Sequence, residues 1–317
     1  MISVIIPVYN VGPYIEECVY SVLSQRYRTF EVIIVDDCGT DNSMDLVYAI
    51  LKGKEDTVLD GIHFRIIRHD RNKGISEARN TGLKSAIGDY IFLLDSDDTI
   101  TEDCLSLLAD KAKETNADVI DARVNSVYPD ISDYPEGFFS SVDDIRNIFF
   151  KRKLHTETWG RLLKRGFIEE NHLRFIKDIL CEDVPFGLQV FSKVKTLYCL
   201  KEKCYNYRMR PGSIMSHENF ELRLKSYETI IEQLVQIATD NQIIKEPGFV
   251  NWLEFYKALF FRNIAILGSS QQLWWFYKQV VRKIHRTPEL NKDNIHYLFP
   301  SFIGFYVYQR FYGRRLC

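Results

Sequence analysis

The chain has no Cys-x-x-Cys pair, although seven cysteines stand at positions 18, 38, 104, 181, 199, 204 and 317. Scattered in this way they outline neither a zinc site nor a disulfide framework, and a reducing cytoplasm suits them best. Cys317 is the last residue, so it is not the cysteine of a prenylation box, which stands fourth from the end. No apolar stretch approaches the ~18 residues of a membrane-spanning helix. The opening Met1-Ile-Ser-Val-Ile-Ile-Pro7 is too short, and too poor in basic residues, for a secretory leader. Net charge is only −2, which gives no global reason to expect a nucleic-acid partner. Both glycine-rich phosphate cradles are also missing. No Gly-x-Gly-x-x-Gly follows the first apolar run and no Gly-x-x-x-x-Gly-Lys occurs, which argues against a Rossmann dinucleotide site and a P-loop. A nucleotide bound here would need carboxylates and a metal in place of glycines and amides.

With 317 residues, 46% apolar and 26% charged, the chain suits a domain of ordinary size plus a smaller second one. The run from Tyr90 to Leu94 reads as a buried strand, and Asp95, Asp97 and Asp98 stand at its carboxyl end. Three anions in four residues repel one another unless a cation sits between them, which suggests a divalent-metal site for a phosphorylated ligand. The alternative is a polar turn that starts a helix near Cys104. Upstream, Ile2 to Ile6 reads as a strand ended by Pro7. Ile15, Val19, Val22 and Leu23 fall at helical spacing. Glu31 to Val35 and Phe64 to Ile67 are two more strands; Asp41 to Ser43 can cap a helix between them. A turn at Asn72-Lys73-Gly74 leads into a helix from Ser76 to Ala86, closed by Gly88. Strands separated by helices predict an α/β fold with a largely parallel sheet.

Five segments taken together resemble the inverting glycosyltransferases of family 2, whose catalytic domain has the GT-A fold. They are Ser3-Val-Ile-Ile-Pro-Val-Tyr-Asn10, Glu31-Val-Ile-Ile-Val-Asp-Asp37, Asn72-Lys-Gly-Ile-Ser-Glu-Ala-Arg-Asn80, Gly88-Asp-Tyr-Ile-Phe-Leu-Leu-Asp-Ser-Asp-Asp98 and Glu182-Asp183. The resemblance covers residues 1 to about 215 and implies a nucleoside diphosphate sugar as donor, with UDP preferred, and Mn²⁺ or Mg²⁺ as cofactor. It also implies a glycan or lipid-linked acceptor in surface polysaccharide synthesis. By resemblance, Pro7 and Tyr9 line the base, and Asp37 accepts the imide hydrogen of uracil or thymine. Asp95 meets the ribose or a metal-bound water, and Asp97 is the metal ligand. Asp183 is implied to be the general base that takes the acceptor's proton. Arg79 could reach the base or diphosphate, the alternative being a solvated helix-face arginine. Two other readings stand beside the enzyme: a non-catalytic nucleotide-sugar-binding scaffold, and a sugar-phosphate nucleotidyltransferase. The latter would carry a glycine-rich loop where this chain has Pro7-Val-Tyr-Asn10.

The segment from Tyr205 to His217 looks like the loop that folds over the donor in relatives. Arg208 or Arg210 could clamp the diphosphate, and His217 could add an imidazole to the metal. Trp159 is either an acceptor platform or a core residue. After residue 215 the chain turns helical, and residues 216–317 are expected to form a C-terminal helical region. It ends in an aromatic and basic stretch from Phe299 to Arg315. Packing on the catalytic domain, or on a second copy in a homodimer, competes there with peripheral contact at the inner face of a membrane.

Overall fold

The computed structural model describes residues 1–125, 131, 133–209, 220–286 and 290. The first half runs β1 (Ile2–Val8), α1 (Gly12–Leu23), β2 (Phe30–Asp36), α2 (Ser43–Ile50), β3 (Asp56–Leu59), β4 (Ile62–Arg68), α3 (Ile75–Ser85) and β5 (Tyr90–Leu93). Next come β6 (Thr99–Ile100), α4 (Cys104–Thr115), β7 (Val119–Asn125), β8 (Gly137–Phe139), α5 (Val142–Phe150), β9 (Arg161–Lys164), α6 (Arg165–Glu170), α7 (Asp183–Lys193) and β10 (Leu197–Asn206). Three long helices follow, α8 (Phe220–Asp240), α9 (Pro247–Leu267) and α10 (Ser270–Arg286).

The ten strands of the described residues join one sheet in the order β3-β4-β2-β1-β5-β9-β7-β10-β6, with β8 also on β10. The stretch β4-β2-β1-β5 is parallel throughout, as the alternating sequence predicts. Beyond β5 the sheet turns mixed, because β9 lies antiparallel to both β5 and β7. β7 and β10 are again parallel. Pro7 does not end the first strand, which continues to Val8 in register with Asp36. Leu94 N–H bonds Ile5 C=O on the β5 side. Pro7, two residues on, faces that same side, beyond the last β5 pair at Leu93, so its missing N–H costs no ladder bond.

Alternation sorts the central strands onto two cores. Val4, Ile6, Val32, Ile34 and Phe92 point to one face, with Ile15 and Val19 of α1 and Leu105 and Leu108 of α4. Ile5, Ile33, Val35, Ile91 and Leu93 point to the other. On that second face one apolar cluster continues from Ala78 of α3 through Phe186 of α7 to Tyr227, Phe260 and Phe276 of α8, α9 and α10. Phe149 of α5 stacks on Phe191 of α7 at 4.4 Å and meets Trp252 of α9 at 5.3 Å. The last helices are therefore packed on the sheet-bearing body through an aromatic seam, which burial of large rings stabilises strongly.

Candidate active site

The carboxyl ends of β1, β2, β4 and β5 open on one edge, where a parallel α/β sheet presents its ligands. Tyr9 follows β1 and is 42% exposed, so its ring is available at that edge. Asp36 and Asp37 close β2. Asp37 is buried: its Oδ1 bonds His69 Nδ1 at 2.6 Å and accepts from Lys73 N at 2.8 Å, while Oδ2 accepts from Gly74 N at 2.8 Å. This carboxylate thus fixes the turn that starts α3, where Gly74 takes φ +84°, a conformation glycine adopts without strain. His69 Nε2 lies 2.9 Å from Thr81 Oγ1, tying β4 to α3.

Arg79 of α3 is the centre of the site. Only 3% of its side chain is exposed, and its fork meets three carboxylates. Nη2 donates to Asp95 Oδ1 at 2.8 Å; Nη1 donates to Glu182 Oε1 at 2.6 Å and to Asp183 Oδ1 at 3.0 Å. The guanidinium also lies 5.2 Å from the Phe175 ring centre. Burial alone would lower the arginine's pKa, but the charges of Asp95, Asp183 and Glu182 outweigh it and hold the group well above its ordinary value. α3 comes this close to the sheet because residue 82 is glycine: a Cβ there would sit 2.2 Å from Ile5 Cγ2.

Asp183 opens α7, and its Oδ1 also accepts from Thr158 Oγ1 at 2.9 Å. Both bonds engage the same oxygen, which leaves Oδ2 outside them. Burial pushes the Asp183 carboxyl up to about 7, with Arg79 opposing and Glu182 and Asp95 adding to the rise. Burial raises Glu182 as well. In the acidic turn, Asp98 is buried. Its Oδ2 accepts from Tyr205 Oη at 2.7 Å and its Oδ1 from Arg208 N at 2.7 Å. Burial and the neighbouring charge of Asp95 push its carboxyl up to about 8. Asp95 and Asp97 are partly exposed at the mouth of β5. Among the described residues no three His, Cys, Asp or Glu side chains form a ready-made metal cage.

Six residues singled out in the sequence, Tyr9, Asp37, Arg79, Asp95, Asp97 and Asp183, thus gather along this edge and at the neighbouring start of α7. Arg208 is differently engaged: its guanidinium bonds Glu17 and lies 5.3 Å from the Tyr14 ring centre, both on α1. Trp159 is only 7% exposed and stacks with Tyr205 at 5.3 Å and Tyr207 at 5.6 Å, so the core alternative is where the structure puts it. Arg210, His217 and the stretch from Phe299 to Arg315 lie outside the described residues. Sequence reasoning missed His69, Thr158 and the part played by Glu182. Glu182 was marked by its place in the Glu182-Asp183 segment and His69 by its place directly after a strand that ends on the ligand-bearing edge; Thr158 carried no signal.

The profile described as Glycosyl transferase family 2 matches residues 3–177. Over 223 residues the chain is 32% identical to the uncharacterized glycosyltransferase EpsJ of Bacillus subtilis, covering 68% of this chain but only 62% of EpsJ. It is 27% identical over 278 residues to glycosyltransferase GlyG of Streptococcus pneumoniae, covering 81% and 88% of the two chains. Among solved structures, residues 1–349 of TarS from S. aureus, in complex with UDP-GlcNAc, superpose with a TM-score of 0.61 at 20% identity, covering 89% of this chain and 88% of that one. At that identity the likeness is one of fold, the GT-A fold.

Proposed function

This chain belongs to glycosyl transferase family 2, and from that premise we propose a metal-dependent, inverting transfer of sugar from a UDP-sugar to a hydroxyl of a glycan or lipid-linked saccharide. The product would serve a surface polysaccharide. One contact set carries the reading: the Arg79 fork draws the strand-end Asp95 and the helix-start pair Glu182-Asp183 together from three separate parts of the chain. The UDP-GlcNAc bound to TarS supports the donor class. TarS itself is named a poly(ribitol-phosphate) β-N-acetylglucosaminyltransferase, which supports a polymeric acceptor.

In this mechanism the exposed Tyr9 ring offers a stacking face to the base, beside Pro7 and with Asp37 within its own hydrogen-bonded turn. Arg79 Nε is buried and has no hydrogen-bond partner among the described residues, so the arginine acts on the site through its two Nη groups. Arg208 would reach a diphosphate only after leaving Glu17. Asp183 takes the proton of the acceptor hydroxyl on Oδ2 as that oxygen attacks the anomeric carbon. The bond to the diphosphate breaks on the opposite side, so configuration inverts. A carboxyl near 7 suits this work, because a base works best when its pKa lies close to the working pH. Thr158 and Arg79 hold it in place meanwhile.

The donor set fits Mg²⁺ or Mn²⁺. Asp97 offers a part-exposed carboxylate beside those of Asp95 and Asp98, and hard cations of this kind bind one or two carboxylates plus ligand phosphates. Asp97, with His217 as a second candidate, would hold the ion, whose charge would offset that developing on the departing diphosphate. Calorimetric titration with UDP and a panel of UDP- and dTDP-sugars, with and without Mn²⁺, tests the reading. Metal-dependent binding is expected, tightest for one UDP-sugar. A folded sample that binds no member of the panel overturns it.

A further inference from the structure

α10 is unlike the other two long helices in its charge. Its 17 residues, Ser270–Arg286, hold Lys278, Arg282, Lys283 and Arg286 and no Asp or Glu. Leu273, Phe276 and Val280 are its buried stripe against α8 and α9. On the remaining surface stand Trp274 and Trp275, 41% and 42% exposed, with Lys278 Nζ 4.7 Å from the Trp274 ring centre. Ile266, 58% exposed, lies just before the corner between α9 and α10. Two adjacent indoles on an acid-free basic helix are an unfavourable surface in water. At a bilayer they are favourable: rings settle at the headgroup level while cations meet anionic lipid.

The surface also has a definite place relative to the base. Leu180, three residues before Asp183, donates its N–H to Ser226 Oγ of α8 at 2.9 Å. About 8 Å further along α8, toward its start, Glu221 Oε1 accepts from Gln272 Nε2 of α10 at 2.9 Å. The indoles begin two residues after Gln272. They therefore lie at the end of the helical layer where Asp183 stands.

We propose that the outward face of α10, with Trp274, Trp275 and Lys278, docks this protein on an anionic bilayer. Docking there would bring the start of α7 toward acceptors held in the membrane. This deepens the lipid-linked branch of the proposed function and rests on that branch for its purpose, whereas the docking itself does not depend on catalysis. The positive helix matches an anionic leaflet by charge, and the indoles match the interface by their amphipathic shape.

Intrinsic fluorescence of the full chain with vesicles of phosphatidylcholine, with or without phosphatidylglycerol, tests the proposal. The chain has four tryptophans; Trp159 and Trp252 are buried, so quenching by brominated lipid reports on Trp274 and Trp275. Quenching and co-sedimentation are expected with the anionic vesicles and not with the neutral ones. Trp274→Ala/Trp275→Ala should weaken co-sedimentation about tenfold or more, and Lys278→Gln should weaken it and reduce its salt dependence. Both variants should keep the far-ultraviolet spectrum and UDP affinity of the parent. Undiminished vesicle binding by the double variant overturns the proposal. So does a parent that ignores vesicles, including one that self-associates through the same residues in sedimentation velocity. Transfer to an acceptor in detergent is measured separately: its loss would sink the catalytic reading and leave docking intact, and vesicle failure would do the reverse.

Discussion

Replacing Arg79 by methionine removes the charge of the site's central cation while keeping much of its volume. Three carboxylates then face one another with no guanidinium between them. Stripping one partner from a buried ion pair costs about 3–5 kcal/mol. Glu182 is 9% exposed and cannot rehydrate, but Asp95 and Asp183 are 24% and 19% exposed and recover part of their hydration. The expected loss is therefore toward the lower end, about 3 kcal/mol. Its pH dependence identifies the cause. Asp183 and Glu182 already have folded pKa values above their ordinary range, so what they contribute to stability is present at acid pH and is lost as pH rises toward about 7. Arg79 lowers both; without it they rise further. The deficit of Arg79→Met should be widest at about pH 8 and close as the carboxyls take up protons. Urea unfolding of parent and variant at about pH 8 and about pH 5.5 measures this. Arg79→Met/Glu182→Gln should recover part of the loss, because it removes the carboxylate least able to rehydrate. An equal deficit at both pH values would refute the reasoning, since it would mean the arginine acts through packing and not charge.

Asp97→Ala should abolish Mn²⁺-dependent donor binding and leave the thermal midpoint unchanged; undiminished metal-dependent binding would move the ligand role elsewhere. Asp183→Asn should bind donor as the parent does and lose about 10²–10⁴ in kcat, whereas full transfer would place the base on another residue. In the parent, transfer should decline as pH falls below about 7, where Asp183 becomes protonated and can no longer accept the acceptor's proton; a rate that is flat from about pH 5 to 8 contradicts the assignment. Gly82→Ala should destabilise the fold by about 1–3 kcal/mol, because its methyl would collide with Ile5 Cγ2, and an unchanged urea midpoint would count against the close packing of α3 on β1.

The strands most legible in the sequence are those covered on both faces, although Phe64 to Ile67, in the half-buried β4, is readable too. Glu31 to Val35 and Tyr90 to Leu94 are nearly continuous apolar runs, and the structure buries both throughout. β3 is partly exposed along its whole length and carries no such run, so its pattern resembles a loop. β9 is only four residues long and lies between charged ends, and its antiparallel pairing is set by what surrounds it. At the site, strand ends and helix starts were legible because motifs mark them. Side-chain partners were not. Arg79 could be placed on a helix from its neighbours, but its three carboxylates come from residue 95 and from residues 182 and 183. Such a meeting is decided by how α3 and α7 pack. Trp159 was ambiguous for a similar reason: the tyrosines that bury it stand about fifty residues away, on and just after β10.

The central place of β9 has a consequence for the order of assembly. During synthesis the parallel half, β4-β2-β1-β5, can pair as soon as residue 93 is made, yet the free edge of β5 then waits for Arg161–Lys164. β7 waits for the same four residues on one side and for β10 on the other. β9 is thus the keystone of the sheet, and a chain interrupted before Arg161 would expose three unpaired edges at once, one on β5 and both on β7. Such edges recruit strands from other molecules, and pairings so distant in sequence form slowly. Truncation before β9 would therefore be expected to yield aggregates in place of a smaller folded unit.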